Sequence, residues 1–345
     1  MSKTAIVILN WNGEKLLQKF LPQVVENSAY PGVEVIVADN ASSDQSLQLI
    51  KRDFPTVKTI VLDKNYGFTG GYNRALKQVD ADYLVLLNSD VAPAKNWIEP
   101  LIKEMDENPQ TAVCVPKIKS YRKPELFEYA GAAGGYIDRY GYPFCKGRIF
   151  NEVEEDNGQY NQSADIFWAS GAAMMIRKEL YFNLGGLDED FFAHMEEIDL
   201  CWRLKNRGWN IRYVANSEVF HLGGATLDYN NPRKVYLNFR NNLYLLTKNL
   251  SPNQLFIKLL QRLLLDGIAA AKFLISGEFR NFYSVLMAHF VFYSNFRIMY
   301  HKRKENQKLA TIYNHKEIYP HSIVAQFFMH KKHQFSDLAE LNKLD

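Results

Sequence analysis

Short apolar runs alternate with helix-like segments along the first 120 residues of the chain. In the helix-like segments the apolar residues recur every three or four positions, as Leu17, Leu21 and Val24 do. Strands that alternate with helices form a parallel sheet covered by helices. We therefore predict an α/β fold whose first strands are residues 5–9, 33–38, 57–62 and 83–87.

Polar residues follow three of the predicted strands. Asn10 and Asp39 each end one strand, and the triplet Asn88, Ser89 and Asp90 ends another. Ligands bind outside the carboxyl ends of the strands in open α/β sheets. An aspartate at this position can hold Mg²⁺ or Mn²⁺ against a diphosphate, because hard cations prefer oxygen ligands. The same triplet is also common in turns.

Further candidate functional residues lie in an acidic segment at residues 191–203 and at a lone histidine, His221. Glu196 and Glu197 are adjacent, so on a helix they point about 100° apart and only one can face a given site. A carboxylate can activate an acceptor hydroxyl as a general base, and Glu197 and Asp199 both stay open for that role. Acidic residues at a helix start are usually dipole partners. His221 is a candidate metal ligand, although single histidines are usually structural.

A glycine-rich segment precedes the helix predicted near residues 72–79. It contains Gly67, Gly70, Gly71 and Asn73. The segment follows a strand but lacks the spacing of a dinucleotide-binding loop. Close approach of the backbone to a nucleotide or sugar is our interpretation, and a structural turn is the alternative.

Composition limits the class of protein. A chain of 345 residues can bury one large core, or one core plus a smaller appendage. The formal charge of +3 is too small to indicate a nucleic-acid partner. Three widely separated cysteines without metal-site spacing favour a reducing, cytosolic compartment. Because the chain begins at once with a strand-like segment, we expect no signal peptide.

Two regions depart from the alternating pattern. Residues 120–165 mix glycine, tyrosine and charge, and we predict a long functional loop with short strands rather than core. From residue 252 the chain is leucine-rich, with Lys258 and Arg262 interleaved, and an uncharged stretch at 281–296 is shorter than a spanning helix. Amphipathic helices lying on an anionic membrane surface, with these cations near the lipid headgroups, are our interpretation. Packing on the catalytic domain or on a second subunit is the alternative.

Taken together, these segments resemble the family 2 glycosyltransferases, most closely their rhamnosyltransferase-like branch. The matching segments occur in the family's order: VILNWN at 7–12, VADNASSD at 37–44, NYGFTGGYN at 65–73, LNSD at 87–90, WASGA at 168–172, GLDEDFF at 186–192, EEID at 196–199, and His221. The resemblance covers residues 4 to about 245. It implies the GT-A fold, a single Rossmann-like α/β domain that binds nucleotide-diphospho-sugars.

The resemblance also implies roles for residues. Asp39 would read the pyrimidine of the donor with Asn10 and Asn12 nearby, and Asp90 and His221 would hold the metal. The full implied donor-binding set is Asn10, Asn12, Asp39, Gly67, Gly70, Gly71, Asn73, Asn88 and Ser89. The implied acceptor-binding set is Trp168, Gly171, Glu196 and Asp199.

Two residues depart from the family pattern. Asn88 replaces the first aspartate of the metal motif, which weakens metal binding without cancelling it. Glu197 replaces the usual aspartate base and is one methylene longer, so it keeps the chemistry and changes the reach.

These observations predict an inverting glycosyltransferase that makes a bacterial surface polysaccharide on the cytosolic face of the membrane. The predicted donor is dTDP-rhamnose, with another pyrimidine diphosphate sugar as the alternative, and the predicted acceptor is a saccharide or lipid-linked saccharide. We assign residues 1–250 to the catalytic domain and 251–345 to a helical region. A catalytically weak sugar-nucleotide-binding protein and a nucleotidyltransferase are the competing functions.

Overall fold

The computed structural model describes residues 2–223, 231–338 and 340–341. The strands are β1 (Thr4–Asn10), β2 (Val33–Asp39), β3 (Lys58–Val61), β4 (Tyr83–Leu87), β5 (Val91–Pro93), β6 (Thr111–Ser120), β7 (Gly135–Asp138), β8 (Pro143–Cys145), β9 (Arg148–Ile149), β10 (Glu152–Val153), β11 (Ala164–Asp165), β12 (Ala173–Arg177), β13 (Asn210–His221) and β14 (Ile318–Tyr319). The α-helices are α1 (Glu14–Asn27), α2 (Ser46–Asp53), α3 (Gly67–Leu76), α4 (Ile98–Glu107), α5 (Lys178–Asn183), α6 (Glu196–Lys205), α7 (Pro232–Asn249), α8 (Leu255–Ile275), α9 (Phe279–Leu309) and α10 (Ile323–Phe328).

The main sheet is mixed, with strand order β11-β13-β6-β12-β4-β1-β2-β3 and β5 paired to β13. Its β3-β2-β1-β4 half is parallel, as the sequence predicted. All five residues of β4 are buried, which explains its wholly apolar sequence. The expectation of a parallel sheet was incomplete, because β12 runs antiparallel between β4 and β6.

Strand register gathers the predicted polar residues at one edge of this sheet. Asn10 pairs with Asp39 across β1 and β2, and Leu87 pairs with Ile8. Since Ala173 pairs with Leu87, the segment just before β12 reaches the same edge. The end of β13 arrives there too, because it pairs with β5 directly after Asp90.

Residues 120–165 do contain short strands, but the expectation that they lie outside the core was wrong. Strands β7 to β10 form a second sheet with β14, in the order β10-β9-β8-β7-β14. Tyr136, Phe144 and Ile149 on these strands are almost fully buried. The tail supplies β14, which runs parallel to β7.

The region after residue 250 is helical, as predicted. Helix α9 packs along α7, with Phe292 near Tyr244 and Met299 buried. The chain then returns to the second sheet, where Phe335 lies 5.1 Å from the ring of Tyr136. No helix in the described ranges is both long and apolar enough to span a membrane.

Candidate active site

A polar cluster forms where β1 and β2 end. The Asn10 amide donates to Asp39 Oδ1 at 3.0 Å and to Ser42 Oγ at 3.1 Å, and the Ser42 backbone N–H donates to Asp39 Oδ2 at 2.9 Å. Asn12 Oδ1 accepts from the Ser43 N–H at 2.7 Å. The structure therefore brings Asn10, Asn12 and Asp39 together, and the fully buried Asp39 orients the loop above it.

The glycine-rich segment forms the start of α3 beside this cluster. Gly67 adopts a left-handed φ of 70°, and its carbonyl accepts from the Asn40 amide at 3.0 Å. A Cβ on Gly71 would lie 2.9 Å from the Leu9 side chain. A larger residue at position 71 would therefore require the Leu9 side chain to shift for α3 to pack this closely on β1. Gly70 is buried in the same turn, near Glu189.

The Asn73 side chain is held by residues 181–187, and its donor-binding role stays a prediction. Its amide donates to the Leu187 carbonyl at 2.8 Å, and its Oδ1 accepts from the Tyr181 hydroxyl at 2.6 Å and the Leu187 N–H at 3.0 Å. Both polar ends of the side chain are thus used to attach α3 to residues 181–187.

Asp90 and His221 meet at the end of β4. His221 Nε2 lies 3.1 Å from Asp90 Oδ1, and Nδ1 lies 3.4 Å from Glu128 Oε1. Burial alone would lower the pKa of His221, but hydrogen bonds to the two carboxylates, with their charges, raise this pKa to about 10. Asn88 and Ser89 are half-buried beside them, and the Asn88 N–H donates to the Ala172 carbonyl at 2.9 Å.

Because a metal-ligating imidazole must be neutral, a divalent ion here would displace the proton that the two carboxylates favour on His221, and the pair would then have the chemistry of a partial metal site. One carboxylate and one imidazole are an adequate protein share for a divalent ion that also binds substrate phosphates. A carboxylate behind the imidazole, as Glu128 is, commonly orients a metal-bound histidine. Within the described ranges no group of three or more His, Cys, Asp or Glu side chains is arranged to hold a metal. With Asp90 and His221 as its protein ligands, a divalent ion would need the oxygens of the diphosphate to complete its coordination.

Glu196 and Glu197 begin α6, where they crowd each other. Glu196 is nearly fully buried and Glu197 is half-buried. The Oε2 atom of each lacks a hydrogen-bond partner among the described residues. Burial raises the pKa of Glu197 to about 7. Burial, followed by the charge of Glu197, raises the pKa of Glu196 well above its ordinary value.

The turn that leads into α6 is strained. Phe192, His194 and Met195 have φ values of 67°, 69° and 72°, a region that costs non-glycine residues about 1–3 kcal/mol each. The buried Asn241 amide holds the turn by donating to the carbonyls of Phe191, Ala193 and His194 at 2.7–3.0 Å. Asn241 on α7 thereby fixes the start of the helix that carries Glu197.

The segment before β12 contains two residues that were predicted to bind the acceptor, Gly171 and Trp168. A Cβ on Gly171 would lie 3.9 Å from Cβ of Glu197 and 3.7 Å from the Phe68 ring, so Gly171 borders the glutamate. Trp168 is buried, and its Nε1 donates to the Tyr136 carbonyl at 2.9 Å. The ring of Trp168 packs on Gly135, which accounts for this residue as part of the core, and its acceptor-binding role stays a prediction.

Asp199 lies in a buried ion network and not in the cleft. Its Oδ2 accepts from Arg203 at 2.8 Å and from Lys248 at 2.7 Å, and its Oδ1 accepts from Asn249 at 2.8 Å. Asp199 has no exposed surface, and both of its oxygens are used by these interior partners. The contacts account for Asp199 as a structural residue, and its acceptor-binding role stays a prediction.

Sequence reasoning missed three residues at this site. Asn40 and Ser42 lie close to Asp39 in the chain, and this proximity could have identified them as site residues. Glu128 follows no strand or motif in the sequence, and it reaches His221 only through the fold.

Comparisons with known proteins identify the family of the chain. A family model described as Glycosyl transferase family 2 matches residues 5–184. The chain is 26% identical over 234 residues to N-acetylglucosaminyl-diphospho-decaprenol L-rhamnosyltransferase of Mycobacterium tuberculosis, covering 63% of this chain and 75% of that protein. It is 23% identical to dTDP-rhamnosyl transferase RfbF of Shigella flexneri, covering 73% and 82%. The resemblance to the rhamnosyltransferase-like branch is thus confirmed.

Solved structures confirm the fold. The mannosyltransferase PcManGT of Pyrobaculum calidifontis, crystallised with GDP-Man and Mn²⁺, is 14% identical with a TM-score of 0.52, covering 90% of this chain and 86% of that one. GalNAc-T7 with UDP, GalNAc and Mn²⁺ is 16% identical with a TM-score of 0.55, covering 72% of this chain and 48% of that one. The predicted GT-A fold is correct.

Proposed function

This chain belongs to glycosyl transferase family 2, and on that premise we propose that it transfers rhamnose from dTDP-rhamnose to a lipid-linked saccharide, with inversion at the anomeric carbon. Relatives named for rhamnosyl transfer support the sugar, and the one named for dTDP-rhamnose supports the nucleotide. The relative named for N-acetylglucosaminyl-diphospho-decaprenol supports a lipid-linked acceptor. Such an acceptor would place the reaction on the cytosolic face of a membrane.

The observation that carries the mechanism is the state of Glu197. The Cβ of Glu197 borders Gly171 just before β12, its carboxylate has an Oε2 without a partner among the described residues, and burial raises its pKa to about 7. A base whose pKa lies near the operating pH is best suited to accept a proton during reaction. The acceptor hydroxyl gives its proton to Glu197 as its oxygen bonds to the anomeric carbon, and the bond to the nucleoside diphosphate breaks on the opposite face of the sugar.

Asp90 and His221 are the residues that would hold a divalent ion, with Glu128 orienting the imidazole. When bound, the ion supplies positive charge that stabilises the departing diphosphate. The single aspartate is supplemented by the substrate's own phosphate oxygens, so Asn88 does not rule out a metal. Solved relatives of the fold contain Mn²⁺, which supports Mn²⁺ over Mg²⁺ as the first ion to test.

The cluster of Asn10, Asp39 and Ser42 is the proposed site for the nucleotide base. Because both Asp39 oxygens already accept hydrogen bonds, a pyrimidine N–H would share or replace one of them. Asn12 and Gly67 border the same edge of the sheet, where the sugar and diphosphate would pass toward Asp90.

A donor panel tests the proposal. The purified chain with Mn²⁺ and a synthetic lipid-diphosphate saccharide would be given dTDP-rhamnose, UDP-glucose, UDP-N-acetylglucosamine and GDP-mannose in turn. We expect turnover with dTDP-rhamnose and an inverted product by NMR. Saturable turnover with a UDP-hexose alone would overturn the donor assignment. Donor binding without transfer or hydrolysis would instead identify a sugar-nucleotide-binding protein.

A further inference from the structure

Helix α8 has its charged side chains facing the protein and its apolar side chains facing outward. This is the reverse of the usual arrangement in a helix at the surface of a globular protein. Lys258, Arg262 and Asp266 recur every four residues and are all buried, Asp266 completely. The opposite face, which we call the outer face of α8, is 44–87% exposed at Phe256, Leu260, Leu264, Ile268, Leu274 and Ile275. The expectation that Lys258 and Arg262 contact lipid headgroups was therefore wrong.

Specific contacts fix this orientation. Arg262 Nη2 donates to Asp266 Oδ1 at 2.8 Å, and His289 Nε2 on α9 lies 3.1 Å from Asp266 Oδ2. The Arg262 guanidinium stacks 3.9 Å from the centre of the Tyr142 ring. Buried charges are costly unless they are paired and hydrogen-bonded; here Arg262 and Asp266 pair with each other, and the Lys258 ammonium lies 4.9 Å from the centre of the Tyr140 ring. These contacts fix which side of α8 faces the protein. The leucines on the opposite side therefore face outward.

The outer face extends beyond the helix. Lys272 Nζ lies 5.2 Å from the centre of the Phe328 ring, so the end of α10, with exposed Phe328 and Met329, lies beside the end of α8. The turn from α8 into α9 ends on Phe279, which is also exposed. Contiguous apolar surface of this extent marks an interaction site in a water-exposed protein.

The charges around this face favour one kind of partner. Lys272, Arg280 and Lys331 are exposed at its margin, while the only acidic residue in the described helix α8 is the buried Asp266. Glu278, at the turn, accepts from the Asn281 amide. Apolar side chains rimmed by cations match an anionic bilayer. A second copy placed face to face would bring the same cations together.

We infer that the outer face of α8 docks on the surface of an anionic lipid bilayer, with the helix lying in the membrane plane. At 1.5 Å per residue its 21 residues are about 31 Å long. Docking in this way would bring the cleft to a lipid-linked acceptor, and in this respect it rests on the proposed function. The lipid contact itself is separate from the chemistry.

Vesicle flotation tests the docking surface. The full chain would be mixed with vesicles of phosphatidylcholine containing 30% phosphatidylglycerol, at low salt and at 0.5 M NaCl. We expect the wild-type chain to float with these vesicles, and salt to weaken binding because it screens the cations. The double variant L264E/I268E should bind at least about tenfold more weakly, since two exposed apolar side chains that would enter the bilayer are replaced by charged ones.

The matched control is L309E/I312E, which places two glutamates at exposed apolar positions at and just after the end of α9 and should float like wild type. Undiminished flotation of L264E/I268E would overturn the inference. A wild-type dimer in light scattering that L264E/I268E converts to monomer, without vesicle binding, would also overturn it in favour of a second copy.

Transfer to a short-chain, water-soluble acceptor should be equal in both variants. Loss of that transfer in the wild type would contradict the proposed function while leaving the flotation result intact.

Discussion

His221 Nε2 lies 3.1 Å from Asp90 Oδ1, although 131 residues separate them in the chain. The contact follows from sheet pairing, because β5 begins directly after Asp90 and pairs antiparallel with the end of β13 at His221. The imidazole is also close to Glu128 on its other side. A carboxylate, an imidazole and an orienting carboxylate thus meet where the donor diphosphate is proposed to bind.

Metal dependence is the first prediction. Asp90→Asn keeps the shape of the side chain and removes its charge, so turnover with Mn²⁺ should fall by about 100-fold or more. Glu128→Gln should lower metal affinity by about 10–100-fold, since it acts only through His221. Mn²⁺ titration of turnover, with calorimetry in the presence of the nucleoside diphosphate, measures both. Full activity in excess chelator would show that no metal is needed.

Glu197→Gln separates chemistry from binding. The amide keeps the size of the carboxylate but cannot accept the acceptor proton, so the transfer rate should drop by about 10²–10⁴-fold. Donor affinity, measured by calorimetry, should stay close to that of the wild type. Glu196→Gln is the matched control and should have a milder effect. Near wild-type transfer by Glu197→Gln would remove this residue from the role of base.

Activity and stability should depend on pH in opposite directions. The base must be ionised, and the pKa of Glu197 is raised to about 7, so kcat/KM should rise as pH increases through 7. The folded state holds this proton more tightly than the unfolded state, whose glutamate has its ordinary pKa of 4.5. The free energy of unfolding should therefore decrease as pH rises from about 4.5 to 7. Rate profiles and urea unfolding at several pH values test both directions, and Glu197→Gln should reduce both dependences.

Asp199→Asn should affect stability rather than acceptor binding. The substitution leaves Lys248 and Arg203 with less compensation in a buried network, which should cost about 3 kcal/mol of unfolding free energy. The acceptor Michaelis constant of the folded enzyme should not change. Asp53→Asn, which breaks an exposed pair with Arg52, is the control and should leave the urea midpoint unchanged. A raised acceptor Michaelis constant with normal stability would return Asp199 to the acceptor site.

Asn241→Ala tests the strained turn. Three backbone carbonyls lose a buried donor, and each lost hydrogen bond should cost about 1 kcal/mol. Relaxation of the turn would also displace the start of α6, so kcat should fall more than donor affinity. Thermal unfolding and the split between kcat and KM measure the two effects. An unchanged kcat in a destabilised variant would limit Asn241 to a structural role.

Part of the fold could be read from local pattern alone. Strands buried on both faces are mostly apolar, so β1, β4 and the buried second half of β2 were visible in the sequence, together with the polar residues that end or follow them. The antiparallel insertion of β12 was not visible, because strand direction depends on chain connections and not on composition. The second sheet could not be predicted from the local pattern either, because its strand β14 comes from about 180 residues further along the chain than β7.

The sequence by itself determined the family, the strand ends that form the cleft and the residue types available for chemistry. Tertiary structure alone decided the position of each carboxylate. Glu197 and Asp199 are two residues apart on one helix, yet Asp199 meets Lys248 and Arg203 in the interior while Glu197 borders Gly171. The same holds for α8, where periodicity shows two faces but not which one is buried. That choice depends on the Tyr142 ring and His289, which are brought to the helix from distant parts of the chain.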